Sequence, residues 1–324
     1  MRFFVTGASG FIGRALAERL RADGHEVAGC DLVPDPAAGV VAGDVAVPGP
    51  WQAHAAGSDV VIHTAAVVSF RLEDYEGVWR ANVLGTRHAL DAAQRAGARR
   101  FVHFSSVTVF GNDFPDGADE HHPVKPTGIP YPDTKIASEQ VALAAHGAGE
   151  LEVVVVRPGD VYGPRSRAWA TLPAQAILAR RFALPARGRG VFSPVYVDNL
   201  VDGVVLAATH ADAAGLVLTL TDGIGPTTAE FFAPYAALLG RWIPALPTPL
   251  AVVAAEAARR LARGGDVNAA SARYLARTGT YSNARARTVL GWAPEVGLEE
   301  GQARTVDWLR EQGYGQARPA SAAR

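Results

Sequence analysis

The chain has 324 residues, 48% of them hydrophobic and 19% charged, with a formal net charge of −1. That is the composition of a globular protein with apolar mass for one large core or two smaller ones, and the near-neutral balance denies it the long-range field that gathers nucleic acid or an anionic membrane. Its one cysteine, Cys30, excludes intrachain disulfides and a Cys/His structural zinc site of the usual kind, and fits a reducing cytoplasm; a small molecule is the expected partner.

The chain opens with "RFFVTG", an apolar run that enters a strand at once, without the charged region, apolar segment and cleavage site of a secretory leader. Short apolar runs then alternate with helical patterns: "FIGRALAERLRADG", "EVAGCD", "DVVIHTAA", "EGVWRANVLGTRHALDAAQRAG", "RFVHFSS", "KIASEQVALAAHG" and "LEVVVVRP". The strand runs are continuous rather than alternating, as in strands buried on both faces. This predicts an α/β fold with a doubly wound parallel sheet between helices. Gly24 and Gly97 stand where helix C-caps belong. Past Pro158 the rhythm breaks into an Arg-, Pro- and Gly-rich stretch, 164–195, before "VYVDNLVDGVVLAATH" and "GLVLTLTD" add one more helix and strand.

The expected organisation is a nucleotide-binding unit over 1–163, rejoined by 195–222, and a smaller, mainly helical C-terminal lobe over 164–194 and 223–314 that holds substrate. Residues 315–324 read as a flexible tail. In the lobe, "PLAVVAAEAARRLAR" is cut by Glu256 and Arg259 too early for a membrane span of ~20 residues. It reads as an amphipathic helix over a core or pocket, the alternative being attachment to a membrane surface.

The stretch "VTGASGFIG" sets Gly7, Gly10 and Gly13 between the first strand and first helix, with Ser9, Phe11 and Ile12 among them. A glycine at the turn, one where backbone approaches a pyrophosphate, and one where helix packs on strand make a dinucleotide site of Rossmann type, with phosphates at the helix N-terminus. The second strand ends at Asp31, 18 residues beyond Gly13. A carboxylate there binds adenosine ribose hydroxyls and repels a 2′-phosphate, which favours NAD over NADP, although Arg14 could bend that preference. Asp44 and Val45 end the third strand and face the adenine edge or form a plain turn. Thr64, Ala65 and Ala66 follow the fourth strand, where small residues let a cofactor approach.

Of 31 basic residues only Lys125 and Lys135 are lysine, and Lys135 lies four positions after Tyr131 in "PYPDTK". One helical turn puts both on the same face. A phenol of pKa about 10 is a proton donor beside a carbonyl oxygen but a poor base at neutral pH, so a neighbouring ammonium, together with oxidised nicotinamide, would stabilise the phenolate and give the pair its chemistry. Pro132 is tolerated only in a first helical turn.

Taken in order, "TGASGFIG", "HTAA", "ANVLGT", "FSSVTVFG", "YPDTK" and "RPGDVYGP" resemble the extended short-chain dehydrogenase/reductase family over residues 1–220, with weaker similarity in "LGWAP" at 290–294. "IHTAAVVSF", "PYPDTKIASEQVALAAHG" and "SPVYVDNLVDG" look most like its 3β-hydroxysteroid dehydrogenase-type branch. The resemblance implies that Ser106, with Ser105 as the alternative, hydrogen-bonds the substrate oxygen, that Tyr131 is the acid/base, and that Lys135 tunes it and holds the nicotinamide ribose. Pro158 and Gly159 would border the nicotinamide, and Asn82 would hold backbone or water near the lysine or serve helix packing. A homodimer is the family expectation.

Other polar residues have plainer readings: His121 and His122 in a solvated acidic loop with Asp119 and Glu120, His63 and His103 in the core, and Asp198 as a helix cap. Within the family, dehydratases place Asp-Glu where Val107 and Thr108 stand, and sugar-nucleotide enzymes carry an arginine where Val191 stands, although Arg187 or Arg189 could reach in. The lobe's "AWATLPAQAILARRFALPA" and "RWIPALPTPLAVV" suit an apolar substrate. The expectation is an NAD-linked secondary alcohol/ketone oxidoreductase for a bulky, sterol- or polyketide-like molecule. A sugar-nucleotide epimerase and a non-catalytic dinucleotide sensor are the alternatives.

Overall fold

The computed structural model describes residues 1–69, 73–261 and 266–316. Its strands are β1 (Arg2–Thr6), β2 (Glu26–Asp31), β3 (Val40–Ala42), β4 (Val60–His63), β5 (Arg100–Phe104), β6 (Glu152–Pro158), β7 (Asp160–Tyr162), β8 (Pro194–Tyr196) and β9 (Val217–Leu220). Seven make one sheet in the order β3-β2-β1-β4-β5-β6-β9, and every pairing is parallel. The order reverses at β1, so the carboxyl ends of β1 and β4 flank the crevice where open α/β sheets bind ligands.

The helices are α1 (Phe11–Ala22), α2 (Tyr75–Trp79), α3 (Gly85–Ala96), α4 (Pro130–Gly147), α5 (Leu172–Leu178), α6 (Val197–Thr209), α7 (Thr228–Leu239), α8 (Thr248–Leu261), α9 (Ala269–Tyr274), α10 (Ala284–Leu290) and α11 (Leu298–Glu311). A π turn, Arg80–Leu84, joins α2 to α3. Successive strand residues point to opposite faces, and each face has its own core. Phe4, Val61, Phe101 and Val153 pack on α3 and α4. Phe3, Val5, Ile62 and Val154 pack on α1 and α6, and that core continues without a break into the aromatic cluster of the lobe. There Phe192 stacks on Phe231 at 3.8 Å between centroids, and Trp169 meets Phe192 edge-on.

Gly24 follows the end of α1 and Gly97 caps α3, both with positive φ. Two expectations are corrected. Asp198 does not cap α6: the cap position is Tyr196, and Asp198 lies in the first turn, 3.3 Å from Arg304. Glu120 is not solvated: its carboxylate accepts from the Thr219 amide at 2.6 Å, satisfying a donor of the edge strand β9, while Arg285 donates to the Val217 carbonyl. The expected tail lies mostly outside the described residues.

Candidate active site

The loop between β1 and α1 is built by close approach. Gly7 has φ +72°, and a Cβ there would meet the Ala65 amide nitrogen at 2.7 Å; a Cβ on Gly13 would fall on the Gly7 carbonyl. Gly29 of β2 is equally constrained, since its Cβ would lie 2.6 Å from that of Ala8. The sequence reading passed over Gly29, although a glycine inside a strand marks close contact. The first turn of α1 carries no acidic residue and no side-chain cap, so its amides are open to an anion.

At the adenosine end, the Asp31 carboxylate accepts from the amides of Ser9 and Val33, both at 3.1 Å, and lines a cavity with Gly43, Asp44 and Val45. Ser9 does not line that cavity, because its hydroxyl donates to the Val33 carbonyl at 2.7 Å. Arg14 is absent from the lining as well, and among the described residues no ion pair offsets the Asp31 charge that a 2′-phosphate would meet. Gly7, Gly10, Phe11, Ile12 and Gly13 form the adjoining wall. A glycine cradle that a Cβ would fill, an uncapped helix start and a carboxylate at the second strand's end fit NAD.

The chemical end gathers residues distant in sequence. Thr64, Ala65, Ala66, Ser105, Ser106, Tyr131, Lys135, Pro158 and Gly159 all line the same cavity. Asp133 sets the start of α4 by accepting from the amides of Thr127 and Gly128 at 2.7 and 2.9 Å. Lys135 is buried, and its ammonium donates to the Phe104 carbonyl at 2.7 Å while lying 5.9 Å from the Tyr131 ring centre. Burial lowers the Lys135 pKa to about 8, with Glu139 opposing. Burial pushes Tyr131 up to about 12, with the neighbouring Ser106 hydroxyl opposing and Asp160 adding to the rise. In the protein without cofactor, desolvation is the largest influence on this phenol. The Ser105 hydroxyl, buried beside the cavity, has no hydrogen-bond partner among the described residues.

Asn82 does not face the cavity. In the π turn its side chain accepts from the Val67 amide at 2.8 Å and donates to the Val67 carbonyl and the Thr134 hydroxyl, tying the loop after β4 to α4. His63 and His103 stack at 5.9 Å under Lys135, bonded to Thr6 and Ser138; burial first, then the lysine charge, holds both well below an ordinary histidine pKa. Asp160 escaped the sequence reading. Buried at the cavity wall, it accepts from the Tyr274 hydroxyl at 2.7 Å, Arg277 at 2.6 Å and the Ser193 amide at 3.2 Å. No local pattern announces it, because its partners lie 117 and 114 positions away.

The cavity, of about 990 Å³, runs on into the lobe. Trp169, Leu172, Phe182, Leu246 and the alanines of α8 give it an apolar wall, with Arg167, Arg180 and Arg181 also in its lining. Arg187, Arg189 and Val191 are not.

The sequence profile of the NAD dependent epimerase/dehydratase family matches residues 3–218. A 4-hydroxy-2-methyl-3-oxo-4-farnesyl-3,4-dihydroquinoline-1-oxide ketoreductase of Stigmatella aurantiaca is 38% identical over 232 residues, which cover 69% of this chain and 69% of its own. A UDP-glucose 4-epimerase of Mycolicibacterium smegmatis is 30% identical, with 96% of this chain and 99% of its own covered. Among solved structures, MoeE5 in complex with UDP-glucuronic acid and NAD is similar at TM-score 0.78 and 26% identity, covering 96% of this chain and 100% of its own.

Proposed function

The chain belongs to the NAD dependent epimerase/dehydratase family, and from that premise we propose that it interconverts a secondary alcohol and a ketone on a bulky hydrophobic molecule. The observation that carries the substrate class is the wall of Trp169, Leu172, Phe182, Leu246 and α8 alanines leading to Tyr131, since an apolar lining of this extent desolvates a diphosphate at high cost. The name of the ketoreductase relative agrees with that reading.

NAD, when bound, supplies the hydride acceptor or donor, held by the Gly7–Gly13 loop and Asp31. The chain's own groups handle the oxygen and its proton. Tyr131, protonated at neutral pH, gives its phenol proton to the ketone oxygen in reduction and recovers one from solvent afterwards. Ser106, in the cavity lining with Tyr131, orients that oxygen. Lys135 holds a positive charge on the same helix face, anchored on the Phe104 carbonyl, and stabilises the phenolate as it forms. Asn82 keeps the loop after β4 in place, and the apolar wall excludes water.

The test is consumption of NADH with a panel of hydrophobic ketones. Tyr131→Phe is expected to lower turnover by about 10²- to 10⁴-fold with NADH affinity retained; undiminished turnover in that variant would remove the assignment. A second reading, epimerisation of a nucleotide sugar, draws on Arg167, Arg180 and Arg181 in the cavity lining. Conversion of UDP-glucose without net change in NADH absorbance would select it.

A further inference from the structure

The geometry points to a membrane-docking face: the rim of the substrate cavity seats on an anionic lipid surface. Helix α8 uses two faces. Ala251, Ala255 and Ala258 line the cavity, Leu250 and Val253 are open to solvent, and Ala254 and Ala257, exposed at the cavity mouth, join them in an apolar stripe spaced i, i+3, i+4, i+7. Leu250 is 58% exposed and Val253 67%. Trp242, in the segment leading into α8, is 82% exposed, and Leu178 at the end of α5 is 41% exposed. Leu184 exchanges backbone hydrogen bonds with Pro244 and Leu246, and the Arg187 amide donates to the Leu246 carbonyl, which ties the 184–187 segment to the chain that runs from Trp242 past the cavity wall at Pro244 and Leu246 into α8. Arg180, Arg181, Ala254 and Ala257 line the same opening.

Charge selects the occupant. In a chain of net charge −1, residues 164–194 hold six arginines and no acid. Arg180, Arg181 and Arg241 are exposed and have no carboxylate within ion-pair distance among the described residues. The one acid of α8, Glu256, is taken by Arg259 and Arg260. An exposed tryptophan, an apolar helical stripe and free guanidinium groups are the parts of an interfacial anchor: rings and aliphatic chains enter the headgroup boundary while arginines bind lipid phosphate. A second copy is the poorer occupant, since a two-fold contact would set this arginine rim against itself. Seated this way, the cavity receives an apolar molecule from the bilayer without passage through water.

The test uses the full chain and needs no turnover, so its result is separable from the chemistry assigned to Tyr131. The wild-type protein is co-sedimented with phosphatidylcholine vesicles and with vesicles containing phosphatidylglycerol. Binding about 10-fold stronger to the anionic vesicles, reduced by high salt, is expected. Val253→Glu with Trp242→Ala is expected to abolish it, and Arg241→Glu to weaken it, with melting temperatures unchanged because all three side chains are exposed. Equal affinity for neutral vesicles, no affinity for either, or binding unaffected by these variants would overturn the proposal. So would self-association of the wild-type chain lost in Val253→Glu without vesicle binding, which would assign the face to a second copy.

Discussion

Lys135 is buried, held by the Phe104 carbonyl at 2.7 Å and one turn from Tyr131. Burial brings its pKa to about 8, below the ordinary value of 10.5, so the ammonium is present below pH 8 and lost as pH rises through it. Tyr131, pushed to about 12, stays protonated over that range. In the ketone-to-alcohol direction, kcat/KM is therefore expected to fall as pH rises through about 8, with the descending limb set by the lysine and not the tyrosine. A pH profile of NADH consumption checks this, and Lys135→Arg should remove the limb while lowering the plateau, since a guanidinium keeps its charge but fits the site poorly. Tyr131 and Lys135 stood out in the sequence because composition and spacing are local properties. Asp160 did not, because its role exists only through partners elsewhere in the chain.

Helix α4 positions this chemistry, and two contacts orient it. Asp133 closes on the amides before the helix, and one turn beyond Lys135 the Glu139 carboxylate takes a bidentate pair from Arg157 of β6, both contacts at 2.8 Å. The pair is fully buried, and Arg157 lies 4.9 Å over the Phe110 ring. Glu139→Ala leaves a buried guanidinium uncompensated, and a loss of about 3–5 kcal/mol is expected by denaturant titration. The "PYPDTK" stretch fixes where α4 begins, through Pro132 in the first turn; the depth at which it packs depends on β6. The helix carrying "ANVLGT" shows the same division. Its apolar period is plain in the sequence, whereas the π turn that aims Asn82 at Val67 is not.

Across the whole molecule, the Asp160–Arg277 pair joins the strand end to the lobe beside the cavity. Arg277 is buried, lies 3.6 Å over the Tyr274 ring, and has two nitrogens without a hydrogen-bond partner among the described residues. Losing it leaves the Asp160 charge buried beside Tyr131. Arg277→Ala is expected to cost about 3–5 kcal/mol in denaturant titration, and the apolar pair Asp160→Leu with Arg277→Met should recover most of that loss, because a buried ion pair is worth little over hydrophobic packing. A double-mutant cycle measures both. The "LGWAP" segment is drawn in similarly: Trp292 donates to the Asn199 carbonyl, and the Asn199 side chain takes the amides of Glu295 and Val296.

The amino-acid sequence alone determined the parallel sheet, the dinucleotide loop and the Tyr131–Lys135 pair, because continuous apolar runs, glycine spacing and one helical turn are short-range properties of the chain. Tertiary structure decided the rest. It bonded the Ser9 hydroxyl to the Val33 carbonyl and the Asn82 side chain to Val67 and Thr134, buried Glu120 against β9, and placed Tyr131 where desolvation raises its pKa. It also gave α8 one face for the pocket and another for solvent. Desolvation, long-range pairing and the two sides of a helix depend on what packs against a residue, and those neighbours are brought together only by the fold.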